Sequence, residues 1–90
     1  MSEWTWEYVP DAAGVVGGLT GAQVAEVEDV ARRIADAVAV RRIGTALDIA
    51  VSVSGVKSHG DGPVMIWFLE DYRDDTVLIV RVQHLAMPVT

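Results

Sequence analysis

The sequence predicts an α+β domain: a strand, a short helix or turn, a long helix, then a three-stranded antiparallel meander, with the helices packed on one face of the sheet. Three patterns predict it. Residues 3–9 alternate, with Trp4, Trp6 and Tyr8 on one side and Glu3, Thr5 and Glu7 on the other, the period of a half-buried strand. Val24, Val27, Val30, Ala31, Ile34, Ala35 and Val38 recur at three- and four-residue intervals, as on one stripe of a helix. Two runs rich in branched and aromatic residues, Val64–Leu69 and Thr76–Val82, flank the polar segment Glu70–Asp75, as in a hairpin. Ninety residues suit a single domain, 1–90, with one modest core.

Pro10 and Asp11 end the first strand. Asp11–Gly21 then carries glycines at 14, 17, 18 and 21, the order strand, glycine-rich loop, helix that can cradle a phosphate. It lacks both a Gly-Lys-Ser/Thr ending and a Gly-x-Gly, so the reading is a short helical turn and a tight connection. The long helix begins at Thr20, where Thr20-x-x-Gln23 fits a capping box. Glu28 with Arg32 and Asp29 with Arg33 stand four apart, acid first, as solvated pairs on its outer side. The helix should fray between Ala39 and Gly44, where Arg41 and Arg42 meet the negative end of its dipole.

Residues 46–54 alternate again, Leu47, Ile49, Val51 and Val53 against Asp48, Ser52 and Ser54, which predicts the first strand of the meander. Gly55 is a candidate bulge and Lys57–Gly62 a turn. In the last strand, strict alternation puts Leu78, Val80, Val82 and His84 on one face, and Val77, Ile79, Arg81 and Gln83 on the other.

Composition narrows the function. A hydrophobic share of 51% and a mean hydropathy of +0.30 exceed what so small a domain can bury, so part of that surface is expected to meet a partner, a second copy or a dedicated binding protein. The formal net charge is −6, opposite to the balance that phosphate contacts demand. There is no cysteine, hence no disulfide and no thiolate metal site. MSEWTWEY lacks the basic and apolar regions of a signal peptide, and the longest apolar run, Val64–Leu69, is far short of a membrane span. A cytoplasmic protein without a membrane partner is expected.

The opening WTWEYVPDAA, the segment LTGAQVAEVEDVARRIAD and the closing GDGPVMIWFLEDYRDDTVLIVRVQHL together resemble the RelE/ParE superfamily of type II toxin–antitoxin proteins over nearly the whole chain. The resemblance implies a small α+β domain with helices against an antiparallel sheet. It also implies a toxin, commonly a ribosome-dependent mRNA endonuclease or an agent acting on DNA gyrase, held in check by a cognate antitoxin protein. His84 matches the family's closing His, which some members use as a general acid, a task that suits an imidazole. Arg81 and Lys57 are candidates to hold a phosphate. Each has a plainer reading: a strand end for His84, an exposed strand charge for Arg81, a solvated turn lysine for Lys57. His59 and Asp61 are too few to make a metal site, and no cofactor is expected.

The chain departs from the family pattern where Gly62, Pro63 and Val64 replace an expected Arg, and where Leu85 follows His84 in place of Arg or Tyr. Two functions are therefore expected. One is a toxin acting on mRNA at the ribosome as an endoribonuclease with weakened or lost activity. The other is the same fold kept as a non-catalytic protein-interaction module, in a homodimer or with an antitoxin-like partner.

Overall fold

A computed structural model describes residues 4–42 and 53–85. Its elements run β1 (Thr5–Tyr8), α1 (Ala12–Val16), α2 (Gly21–Arg42), β2 (Lys57–Asp61), β3 (Val64–Asp71) and β4 (Thr76–His84). The α+β class follows from this order. Among the described residues the sheet has four strands in the order β1-β4-β3-β2, not three. Strands β2, β3 and β4 are antiparallel, while β1 joins the edge of β4 in parallel and makes the sheet mixed.

Each helix starts where local chemistry predicts. Asp11 caps α1, its Oδ1 accepting from the Gly14 amide at 2.7 Å. At the start of α2 the Thr20 amide donates to Gln23 Oε1 at 2.9 Å, and the Gln23 amide donates to Thr20 Oγ1 at 3.2 Å, a reciprocal capping box. The stripe read from the sequence forms the α2 side of the core: Val27, Val30, Ala31, Ile34, Ala35 and Val38 are buried, and Val24 packs at the margin. Val64, Ile66 and Phe68 of β3 and Val77 and Ile79 of β4 face them. Burying one such side chain contributes about 1.5–3 kcal/mol, whereas an exposed ion pair contributes about 0.5 kcal/mol, so the stripe rather than the surface charges seats α2.

Several local expectations are corrected. Lys57–Gly62 is not a turn: Lys57–Asp61 is strand β2, paired with β3, and Gly62–Pro63 is the two-residue connection, with Gly62 at φ 58°. The hairpin loop is shorter than Glu70–Asp75, because β3 continues through Glu70 and Asp71. Asp71 Oδ1 accepts from the Arg73 and Asp74 amides, and Asp75 turns the chain at φ 52°, a left-handed conformation that Asp tolerates. Residues 46–52 of the strand expected over 46–54 lie outside the described residues; Val53 makes one isolated bridge to Asp71. The surface pairs also differ, for Arg32 bonds Asp29 and Arg33 reaches across to Asp61.

Gly55, expected as a bulge, lies in no strand; a bulge is found in β4 instead. Phe68 pairs with Ile79 and Trp67 with Arg81, so Val80 is an extra residue opposite that step. It reverses the phase of the strand. Val77 and Ile79 face the helices before it, and Val82 and His84 after it, while Leu78, Arg81 and Gln83 occupy the other face. Simple alternation had grouped His84 with Leu78 and Arg81 with Ile79. The bulge overturns both groupings.

Candidate functional site

Strand β3 ends in a buried carboxylate. Glu70 is 1% exposed, and its place in the alternation of Val64, Ile66 and Phe68 turns it toward the helices. Three donors converge on it: Arg41 from the end of α2 bonds Oε2, Lys57 Nζ from β2 stands 3.1 Å from the same oxygen, and the Tyr72 hydroxyl donates to Oε1 at 2.8 Å. The Glu70 backbone is fixed as well, its amide donating to Ser54 Oγ and its carbonyl accepting from the Ser54 amide. Burial alone pushes this carboxyl up, but the hydrogen bonds from Tyr72, Arg41 and Lys57 and the charge of Arg41 outweigh it. The group is held below its ordinary 4.5, as a carboxylate.

Beside Glu70 a cleft of about 400 Å³ opens between α2 and β2. Ile34, Ala37, Val38 and Phe68 give it apolar walls, and Arg33, Arg41, His59, Asp61 and Glu70 its polar groups. The alternation of β2 explains the strand side, since Lys57, His59 and Asp61 pair with the helix-facing residues Phe68, Ile66 and Val64. Arg33 and Arg41 stand eight residues apart on α2, about 12 Å along its axis. Each is tied to a strand carboxylate, Arg33 to Asp61 and Arg41 to Glu70, so an ion pair closes each end.

A larger depression of about 490 Å³ lies between β1 and α2, lined by Trp4, Trp6, Arg32, Ala35, Asp36 and Ala39 among others. Among the described residues it has no buried polar group comparable to Glu70. Convergence of polar groups beside an apolar floor marks the cleft at Glu70 as the better binding candidate.

The three residues singled out from the sequence are dispersed. Lys57 belongs to the Glu70 cluster. His84 is at the opposite end of the sheet: it pairs with Val64 while Lys57 pairs with Phe68, four residues or about 13 Å away along β3. Its side chain is 7% exposed, with Nε2 2.9 Å from Glu26 Oε2 and Nδ1 buried without a partner among the described residues. Arg81 lies on the face away from the helices, its guanidinium carbon 4.9 Å from the ring centre of Trp67. Among the described residues no three His, Asp or Glu side chains gather as a metal site would require, and no helix is long and apolar enough to cross a membrane.

Sequence reasoning missed Glu70, Arg41 and Tyr72. Glu70 read as a loop acid and Arg41 as a helix-end charge. The available signal was the period of two from Val64, which places Glu70 on the core side. Comparison with family models, with curated proteins and with solved structures finds no match to this chain.

Proposed function

We propose that this chain is a toxin-type component of a toxin–antitoxin pair, of the RelE/ParE class, that works by binding protein and has lost endoribonuclease activity. The element order is compatible with that class: a strand, a short helix, a long helix and three consecutive antiparallel strands make an α+β domain, although β1 makes its sheet mixed.

One observation carries the loss of activity. Several cations and one imidazole suited to phosphate chemistry are engaged within the chain: Arg33 by Asp61, Arg41 and Lys57 by Glu70, His84 by Glu26, and Arg81 by the ring of Trp67. A nuclease of this kind aims preorganised cations at the charge that develops on the phosphate. Here a phosphate would have to displace carboxylates, in a chain whose net charge of −6 already repels RNA.

Expression of the chain by itself, with growth curves, mapping of ribosome-bound mRNA ends and light scattering of the purified protein, tests the proposal. Normal growth, intact transcripts and either a dimer or a co-purifying small protein are expected. Ribosome-dependent cleavage relieved by His84→Ala would overturn the loss of activity. A strictly monomeric species without a partner would overturn the binding role.

A further inference from the structure

We propose, on the reading of the chain as a protein-binding component, that the groove between β1 and α2 docks a basic segment of its partner, in which Lys or Arg alternates with small residues. The cleft at Glu70 gathers more polar groups, but Arg33 and Arg41 are each matched there by a carboxylate. On the β1 side of α2, charge is left over. Arg32 and Asp36 line the groove; Arg32 is already bonded to Asp29, while Asp36 has no partner among the described residues. The Tyr8 hydroxyl is pushed up by burial and then by the charge of Glu28, which sets Glu28 over β1 as well. At the Trp4 end the β3–β4 turn closes on β1: the Thr5 amide donates to the Asp75 carbonyl at 3.1 Å, and the Trp4 ring meets Tyr72 at 6.2 Å. That turn brings Asp74 and Asp75 together with Arg73. Glu28, Asp29, Asp36, Asp74 and Asp75 thus flank the groove against only Arg32 and Arg73, and such a flank selects partners by sign.

The walls suit the same side chains. Trp4 and Trp6 stand beside the small residues Ala35 and Ala39, which leaves a trough of about 490 Å³. Indole attracts an ammonium or guanidinium more strongly than other aromatic rings do, and the methylenes of Lys and Arg lie well on apolar surface. A neutral apolar segment would cover the Asp36 carboxylate without pairing it, which is costly. A second copy of the chain brings the same net charge of −6, so like charges set it apart from this surface.

Titration of the ¹⁵N-labelled protein with capped hexapeptides, in which lysine, glutamine or glutamate alternates with alanine, tests this surface. The indole N–H signals tell the faces apart, since Trp4 and Trp6 line the groove while Trp67 stacks with Arg81 on the face away from the helices. With the lysine peptide the Trp4 and Trp6 signals should shift, that of Trp67 should not, and added salt should weaken binding. The glutamine peptide should bind less well and the glutamate peptide not at all. Asp36→Asn should weaken binding of the lysine peptide about threefold and Arg32→Gln should tighten it about threefold, one exposed charge being at stake in each. Ala39→Leu, at a half-buried position where a larger side chain fills the groove, should abolish binding while the remaining spectrum stays that of the folded protein. Equal binding of the three peptides, shifts confined to Trp67, weaker binding by Arg32→Gln, or no binding would each overturn the docking surface. A co-purifying protein that Ala39→Leu still retains would overturn it too, while leaving the protein-binding reading in place.

Discussion

Glu26 and His84, 58 residues apart, join the first half of α2 to the last residue of β4 through a 2.9 Å contact between Oε2 and Nε2. Glu26 is half exposed and His84 nearly buried, so the imidazole depends on the bond more than the carboxylate does. Glu26→Ala removes the described partner of Nε2 on a side chain only 7% exposed, whose Nδ1 already has none, and a buried ring nitrogen left unpaired costs about 1–3 kcal/mol. Urea unfolding should show a loss in that range. Glu26→Gln, which can still hydrogen-bond, should recover most of it. Equal losses for the two variants would show that the contact carries no stability.

Glu70 predicts a specific acid limb. Its pKa is lower in the folded protein than the ordinary 4.5, so between the two values the unfolded chain binds more protons and stability rises with pH. The contribution is complete above the unfolded value and disappears as pH falls through the folded one. Glu70→Gln should flatten that limb of a stability–pH curve and lower stability near neutrality, because Arg41 and Lys57 lose their shared anion. Since both cations are partly exposed, the neutral-pH loss should stay below the 3–5 kcal/mol typical of breaking a fully buried pair. An unchanged acid limb would contradict this role.

Val80 is the extra residue of the β4 bulge, so its deletion leaves Ile79 opposite Phe68 and Arg81 opposite Trp67 in an unbroken ladder. Inward and outward residues keep their faces. The deletion should therefore fold, with a change of about 1–2 kcal/mol from lost packing and altered twist. Deleting Val82 instead moves Gln83 into the inward place of Val82, opposite Ile66, and should cost more. Thermal melts of the two variants check the order.

The sequence was informative where residues have one wet and one dry side. The α2 stripe, the capping box and the core of the 64–82 hairpin were legible for that reason. Strand β2 was not: its pattern, KSHGD, is exposed almost throughout and contains turn-forming residues, so no alternation betrays it. The bulge was hidden by the run Val77–Val82, where nearly every residue tolerates either face. The cleft escaped because it joins residues 29 positions apart, Arg41 and Glu70, whose meeting depends on how α2 crosses the sheet.

The same exposure gives β2 a second property. Among the described residues it is the outer strand beside β3, with no described strand pairing along its other side. Long, flat, apolar margins recruit other chains, whereas Lys57, Gly60 and Asp61 make this one short, charged and poor in β-forming side chains. Among the described strands, the one least recognisable in the sequence is thus also the margin least suited to stacking into fibrils, in a chain with a 51% hydrophobic share.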